Sequence, residues 1–341
     1  MNGASTLDGW RWVTVRRILG AHRFHLWMAL ACATIAGGSI VACKLTSAQL
    51  NMGDVTIALL AALAGLLPLP LYWHEKQRVD MREGAMAILW ALVLAAILPL
   101  SVGAAARAGM PLQDANLARL DALFGISVPS MMTWASHHLV GTVVNWSYGL
   151  LVPQLPIAIL LPALTGRWKD ARGFLIGNIA AFAIGVPAFA LVPAVGPWYV
   201  YHLAATAEQI RCQSDLLLLR VPGPYSFHAA GIVCFPSFHV IWAILCARAL
   251  WGFRLLRIPV TVLAGMIILS TMTTGWHYFS DVLAGVIVAI LSIAAAQMIN
   301  SKTAYAFRAE IESDPLEMAG RSYKRDGKSL ISASIRLLAR Y

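Results

Sequence analysis

Apolar runs of membrane-spanning length, parted by short polar stretches, make up most of the chain. Eight of them, at 24–43, 55–73, 85–106, 139–164, 173–195, 236–256, 258–274 and 276–299, fit the roughly 17–25 residues a bilayer-crossing helix needs. Two intervening stretches are longer than simple connectors. In 109–138, Leu117, Leu120, Leu123 and Phe124 recur at helical spacing and predict an amphipathic helix along the membrane interface. In 198–235, Pro222, Gly223 and Pro224 predict irregular backbone. Gly173 and Gly177 form a GxxxG pair, a pattern for close helix packing. The expected fold is all-α: a polytopic membrane protein of about eight transmembrane helices. It divides into an N-terminal segment with two accessory helices (1–84), a six-helix core (85–300) and a basic tail (301–341). In the tail, Ile331, Ile335 and Leu338 share one side and Arg336 with Arg340 another. That pattern suits either a helix on an anionic leaflet or a frayed end.

Composition agrees with lipid as the solvent. Of 341 residues, 59% are apolar and 12% charged, with a mean hydropathy of +0.69; a soluble domain carries about 25% charged residues. The net charge of +10 reports topology, because most Lys and Arg fall in alternate connecting segments. One set holds Arg11, Arg16, Arg17 and Arg23, then Lys76, Arg78 and Arg82, then Arg167, Lys169 and Arg172, then Arg248, Arg254 and Arg257, then the tail. Cytoplasmic loops retain such residues. The expected location is therefore a plasma (inner) membrane, crossed several times, with both termini cytoplasmic and no nucleic-acid partner. Five cysteines contain no CxxC pair. Cys212 and Cys234 share one outer loop, where a disulfide and two free thiols are both open.

Two segments carry chemistry. Phe235-Pro236-Ser237-Phe238-His239 opens the sixth run, with Pro236 expected at the first helical position. The free N–H groups of that turn would face the outer loop and favour an anion. Ser237 adds a hydroxyl donor and His239 a titratable imidazole. Trp276-His277-Tyr278-Phe279-Ser280-Asp281 opens the eighth run, and His277 and Asp281 share a helix face at a spacing of four. A carboxylate there can accept the imidazole N–H, set its tautomer and leave the other nitrogen nucleophilic. The intervening hairpin returns the chain to the outer side, so His239 and His277 are expected at one membrane face. Ionisable groups at that depth are costly unless used. His25, His74, His137, His138 and His202 lack such company and read as interfacial packing; Asn145, Gln154 and Asn178 read as polar bridges between helices. No further carboxylate or Cys cluster accompanies the trio, so no metal site is expected.

These two segments resemble the second and third signature motifs, P-S-x-H and H-x3-D, of the type-2 phosphatidic acid phosphatase superfamily. The Asp281-Val282-Leu283-Ala284-Gly285 continuation resembles the family's as well. The resemblance covers the last six runs and implies a six-helix catalytic core. It implies His277 as the nucleophile that forms a phosphohistidine, with Asp281 orienting it. His239 would protonate the departing oxygen and then deprotonate the acceptor, while Ser237 and nearby amides hold phosphate oxygens. Two departures stand out. The first motif, Lys-x6-Arg-Pro, has no counterpart, and Thr271 replaces the arginine six residues before His277, although Ser270 remains. This pattern is similar to the branch with inositol phosphorylceramide and sphingomyelin synthases, which implies transfer of a phospho-headgroup to a lipid alcohol. Arg211 and Arg220, in the loop before Pro236, are the nearby candidates for replacement charge, and His228 for substrate contact. The implied activity is lipid phosphatase or phosphotransferase chemistry without metal or cofactor, at the extracytoplasmic face. Its partner is a membrane lipid carrying a phosphate or phosphodiester, with water or a lipid alcohol as acceptor. A hydrolase using water only is one alternative. A non-catalytic lipid transporter or scaffold is another, although no broken-helix pair or symmetric halves stand out.

Overall fold

The computed structural model describes residues 4–46, 48–50, 79–221, 223–225 and 231–312. The expected run at 55–73, His74, His228 and the tail pattern at 331–340 lie outside the described residues. In chain order the elements are α1 (Ala4–Leu45), β1 (Ala48–Leu50), α2 (Val79–Ala106), α3 (Asp114–Leu123), α4 (Val128–His137), α5 (Leu139–Gly149) and α6 (Leu151–Leu164). Then follow α7 (Trp168–Leu191), α8 (Pro197–Val200), α9 (Ala207–Leu219), β2 (Gly223–Tyr225), α10 (Phe238–Leu250), α11 (Arg257–Thr273) and α12 (Phe279–Glu312). The two short strands pair in parallel, Ala48 opposite Gly223 and Leu50 opposite Tyr225. They stitch the segment after α1 to the loop that leads into α10.

Among the described residues, four helical stretches are long and apolar enough to cross a membrane: Phe24–Leu45, Met81–Ala106, Trp168–Leu191 and Phe279–Ser301. The pair α5 and α6 makes a fifth if taken as one span, bent by 51°. Pro153 accounts for the bend, since it has no N–H for the Gly149 carbonyl and its ring crowds that turn. Residues 139–164 are expected as one span with no broken-helix pair, and this bend corrects that expectation. Helix α10, at 13 residues, is also shorter than the run expected at 236–256, whereas α11 keeps the 17 residues of the run expected at 258–274; α10 rises only about 20 Å. Leu139, Trp146, Leu164 and Leu255 are fully or largely exposed on the outer surface, as suits side chains solvated by lipid. The chain is a multi-pass membrane protein.

The interior centres on α7, α10 and α12. Phe174, Leu175, Ile179 and Phe182 of α7 pack with Phe238, Ile241 and Leu245 of α10 and with Val288 of α12. Gly177 lets Leu245 come close, and Gly173 faces the Asn300 side chain, so the GxxxG pair serves packing inside the chain. Polar bridges add specificity. The Thr273 hydroxyl donates to Asn145 (2.7 Å), and the Trp242 indole donates to Asn178 (3.0 Å). The Gln154 amide is buried with no partner among the described residues. His25 is more than interfacial packing. Buried Glu83 accepts from Arg82 and Arg172, each at 3.0 Å, and lies 3.4 Å from His25 Nε2. The other His25 nitrogen accepts from the Trp90 indole at 3.0 Å, so one network joins α1, α2 and α7.

The expected interfacial helix splits into α3 and α4. Three of its four stripe residues, Leu120, Leu123 and Phe124, are exposed, as suits a face turned to lipid, while Leu117 turns inward with Asp114 and Asp121. Those inward carboxylates matter for the site.

Candidate active site

Ser237 starts α10 as its N-cap, its side chain accepting from the Val240 N–H at 3.4 Å. The cap displaces Pro236 from the expected first helical position to the residue before the cap, behind a cis Phe235–Pro236 bond. The backbone N–H groups of Phe238 and His239 find no acceptor among the described residues, as expected of an open first turn. The Ser237 hydroxyl keeps its own hydrogen for another acceptor.

The two motif segments are bonded to each other. The Ser237 N–H donates to the Asp281 carbonyl at 3.1 Å, and the His277 N–H donates to the Thr271 carbonyl at 3.0 Å. Gly285 permits the first contact: a Cβ there would sit 2.8 Å from the Ser237 carbonyl oxygen and 3.0 Å from Val240 Cβ. His239 and His277 come together with ring centroids 5.8 Å apart.

His277 is buried, and its Nδ1 lies 2.9 Å from the Cys234 carbonyl oxygen. A carbonyl only accepts, so Nδ1 carries the hydrogen and Nε2 the lone pair. The expected carboxylate partner is one step further back, with Asp281 Oδ2 3.5 Å from Nδ1. That oxygen accepts from the Tyr278 N–H at 2.8 Å and from the Cys234 thiol at 3.0 Å. Oδ1 of Asp281 is buried with no hydrogen-bond partner among the described residues.

Aromatic rings wall the pair of imidazoles. Tyr148 stacks on His239 with centroids 4.3 Å apart, its hydroxyl 3.5 Å from Nδ1, and Trp276 stacks on the same tyrosine at 5.9 Å. Trp198 meets Trp276 edge-on at 5.3 Å. Two carboxylates from α3 hold the start of α12. Asp121 accepts from the N–H groups of Phe279 (2.7 Å) and Ser280 (2.8 Å). Asp114 accepts from Val195 and Gly196 N–H and from the Tyr278 hydroxyl at 3.0 Å. Burial pushes the Asp114 carboxyl above the usual carboxylate range, against the pull of those donors. Tyr148, Cys234, Asp114 and Asp121 were not singled out from the sequence for this site. Asp114 and Asp121, seven residues apart and so on one helix face, are the signal that would have found two of them.

The cationic candidates are engaged elsewhere. Arg211 pairs with Glu208 and, at 2.7 Å, with Asp215; the Glu208 carboxylate holds its guanidinium above its ordinary value. Arg220 donates to the Met110 carbonyl, and burial lowers its pKa. Thr271 turns its hydroxyl to the Ile268 carbonyl at 2.7 Å, serving His277 through its backbone. Among the described residues no Lys or Arg side chain bonds to Ser237, His239, His277 or Asp281. All five cysteines are buried and none is in a disulfide, so Cys212 and Cys234 do not pair; burial pushes the Cys212 thiol up to about 11.

No curated protein and no solved structure matches the chain. The family model described as the PAP2 superfamily matches residues 115–295, which span α3 through the first half of α12 and hold both motif segments. With more than half of its length matched, the chain belongs to the PAP2 superfamily.

Proposed function

We propose that the chain is a lipid phosphatase or phosphotransferase that works through a phosphohistidine on His277. The observation that carries this reading is the tied Nδ1. With its hydrogen held by the Cys234 carbonyl at 2.9 Å, neutral His277 has one lone pair, on Nε2, to offer to phosphorus. Asp281 behind the ring stabilises the cation that develops during attack. His239, 5.8 Å away between centroids, protonates the departing oxygen and then takes the proton of the incoming acceptor. The Ser237 hydroxyl and the N–H groups of Phe238 and His239 hold the non-bridging oxygens, as a helix start does for anions.

The few cations near the site favour one branch of this chemistry. Arg211 is already met by two carboxylates, and neutral donors suit a monoanionic phosphodiester better than a dianionic monoester. The preferred reading is therefore transfer of a phospho-headgroup from a phosphodiester lipid to a lipid alcohol, with water as the competing acceptor. The Lys and Arg pattern of the connecting segments supports a site on the extracytoplasmic face of an inner membrane, with both termini cytoplasmic.

The test is incubation of purified protein with a panel of lipid phosphomonoesters and phosphodiesters, with and without a diacylglycerol or ceramide-type acceptor, beside His277→Ala. Turnover lost in the variant, with acid-labile phosphate trapped on the wild type, is the expected result. Identical product profiles for the two proteins refute the enzymatic reading and leave a transporter or scaffold.

A further inference from the structure

We propose that Cys234, His277 and Asp281 form a binding site for a thiophilic divalent cation of the zinc type, whose arrival silences the nucleophilic imidazole. The silencing rests on the function proposed above; the binding does not.

The geometry is that of three corners of a tetrahedron. One ligand atom from each residue lies within 4.8 Å of the others. Oδ2 of Asp281 is 3.0 Å from Cys234 Sγ and 3.5 Å from His277 Nδ1. A zinc ion bound at about 2.3 Å to sulfur and about 2.0–2.1 Å to nitrogen and oxygen has ligand-to-ligand edges of about 3.3–3.5 Å. Two of the three edges are thus within about 0.5 Å of those around a bound ion, and the third, from Sγ to Nδ1, is within 4.8 Å. The sulfur–nitrogen–oxygen set selects zinc over the oxygen-seeking magnesium and calcium. Unlike surface acidic clusters, all three side chains are buried. Asp281 also holds a second oxygen, Oδ1, buried and without a hydrogen-bond partner among the described residues, so its charge is under-used by the protein. Cys234 is not part of the P-S-x-H segment; the close passage of the Cys234 backbone over the His277 ring puts its thiol there.

The proton balance explains why binding would inhibit. The Cys234 thiol gives its proton to solvent, and its sulfur lone pair binds the ion. His277 Nδ1 leaves the Cys234 carbonyl, and its lone pair binds the ion in turn. The single imidazole hydrogen is then carried on Nε2, by exchange through solvent. One proton is released per ion and nothing is oxidised. With hydrogen on Nε2, His277 has no lone pair for phosphorus.

The experiment titrates the full-length protein in detergent with Co2+, read by the thiolate-to-metal charge-transfer absorption, and with Zn2+ by competition. The expected outcome is one equivalent of Co2+ with a thiolate band, displaced by Zn2+ and not by Mg2+. Cys234→Ser should lose the band and weaken Zn2+ binding on the order of a hundredfold, while Cys212→Ser and Cys246→Ser keep both. X-ray absorption of the zinc-loaded wild type, which needs no variant, should give one sulfur neighbour at about 2.3 Å. Absence of the band, its survival in Cys234→Ser, or a zinc shell without sulfur overturns the site. Lipid-phosphate turnover is then measured at the Zn2+ concentration that saturates binding. Unaltered turnover there overturns the silencing step. A wild type without any turnover, yet with the band, overturns the proposed function and leaves the metal site standing.

Discussion

Asp121→Ala is the sharpest perturbation of the way this fold holds its site. The fully buried carboxylate of Asp121 receives two N–H groups, those of Phe279 and Ser280, at 2.7 and 2.8 Å. These are first-turn donors of α12, which a helix cannot satisfy by itself. Each hydrogen bond to a charged group contributes about 1.5–3 kcal/mol, an upper bound of roughly 3–6 kcal/mol for the pair. Loss of a side-chain cap in a protein costs up to about 2 kcal/mol. Between these limits we expect about 2–4 kcal/mol for Asp121→Ala. Asp121→Asn should cost roughly half of that, because one amide oxygen can still accept while the NH2 group faces the second donor. The structure also supplies the assay. All five cysteines are buried, so thermal unfolding in detergent can be followed with a dye that fluoresces on reacting with thiols. The melting temperatures should fall in the order wild type, Asn, Ala, by a total of about 5–10 °C. Turnover should fall with them below the melting point, because His277 and Asp281 flank the tethered residues. A melting temperature for Asp121→Ala within about 1 °C of wild type, with unchanged turnover, would refute the clamp.

Gly285→Ala should cost about 1–3 kcal/mol and lower turnover, since the new methyl meets the Ser237 carbonyl at 2.8 Å. Gly265→Ala in α11, with nothing within 4 Å, should be neutral or stabilising by up to about 1 kcal/mol in the same thermal assay; equal losses for both would contradict the close-approach argument. Tyr148→Phe keeps the stack on His239 and should leave kcat within about threefold, whereas Tyr148→Ala should lower it about threefold to tenfold. Equal kcat for wild type and Tyr148→Ala would remove the ring from the site.

Hydrophobic runs and the two motif segments were readable because each depends on local pattern alone. Run length in lipid identifies helices such as Met81–Ala106 and Trp168–Leu191; the shared helix face expected of His277 and Asp281 does not form, because α12 begins at Phe279 and His277 reaches Asp281 from the turn before it. What was not readable depends on partners distant in sequence. Asp114 and Asp121 sit among leucines that read as a membrane-facing stripe, and only contact with residues 195–196 and 278–280 gives those carboxylates a purpose. The Cys234 carbonyl, with no side-chain signature at all, takes the hydrogen bond that sequence logic assigns to Asp281. Arg211 is the exception: Glu208 and Asp215, three and four residues away on the same helix, were a local signal that its charge is paired there and not at the site. The bend at 149–151 was hidden because Pro153 lies within an unbroken apolar run.

The use of carboxylates here bears on what the site can hold. Asp121 and Asp281 satisfy the N–H groups of Tyr278, Phe279 and Ser280, so the start of α12 offers an incoming phosphate few open donors and a nearby negative charge. The start of α10 differs: its cap is a neutral serine, and the N–H groups of Phe238 and His239 find no acceptor among the described residues. On the proposed function, one helix start positions the nucleophile and the other is kept for the anion. A phosphorus centre held over α10 faces His239 on its own helix and His277 across the 5.8 Å gap between rings. With donors that are neutral and few, each further negative charge on the ligand is poorly met in a low-dielectric setting. Under the proposed function, a lipid phosphodiester, bearing one charge, is the ligand this distribution of charge would suit best.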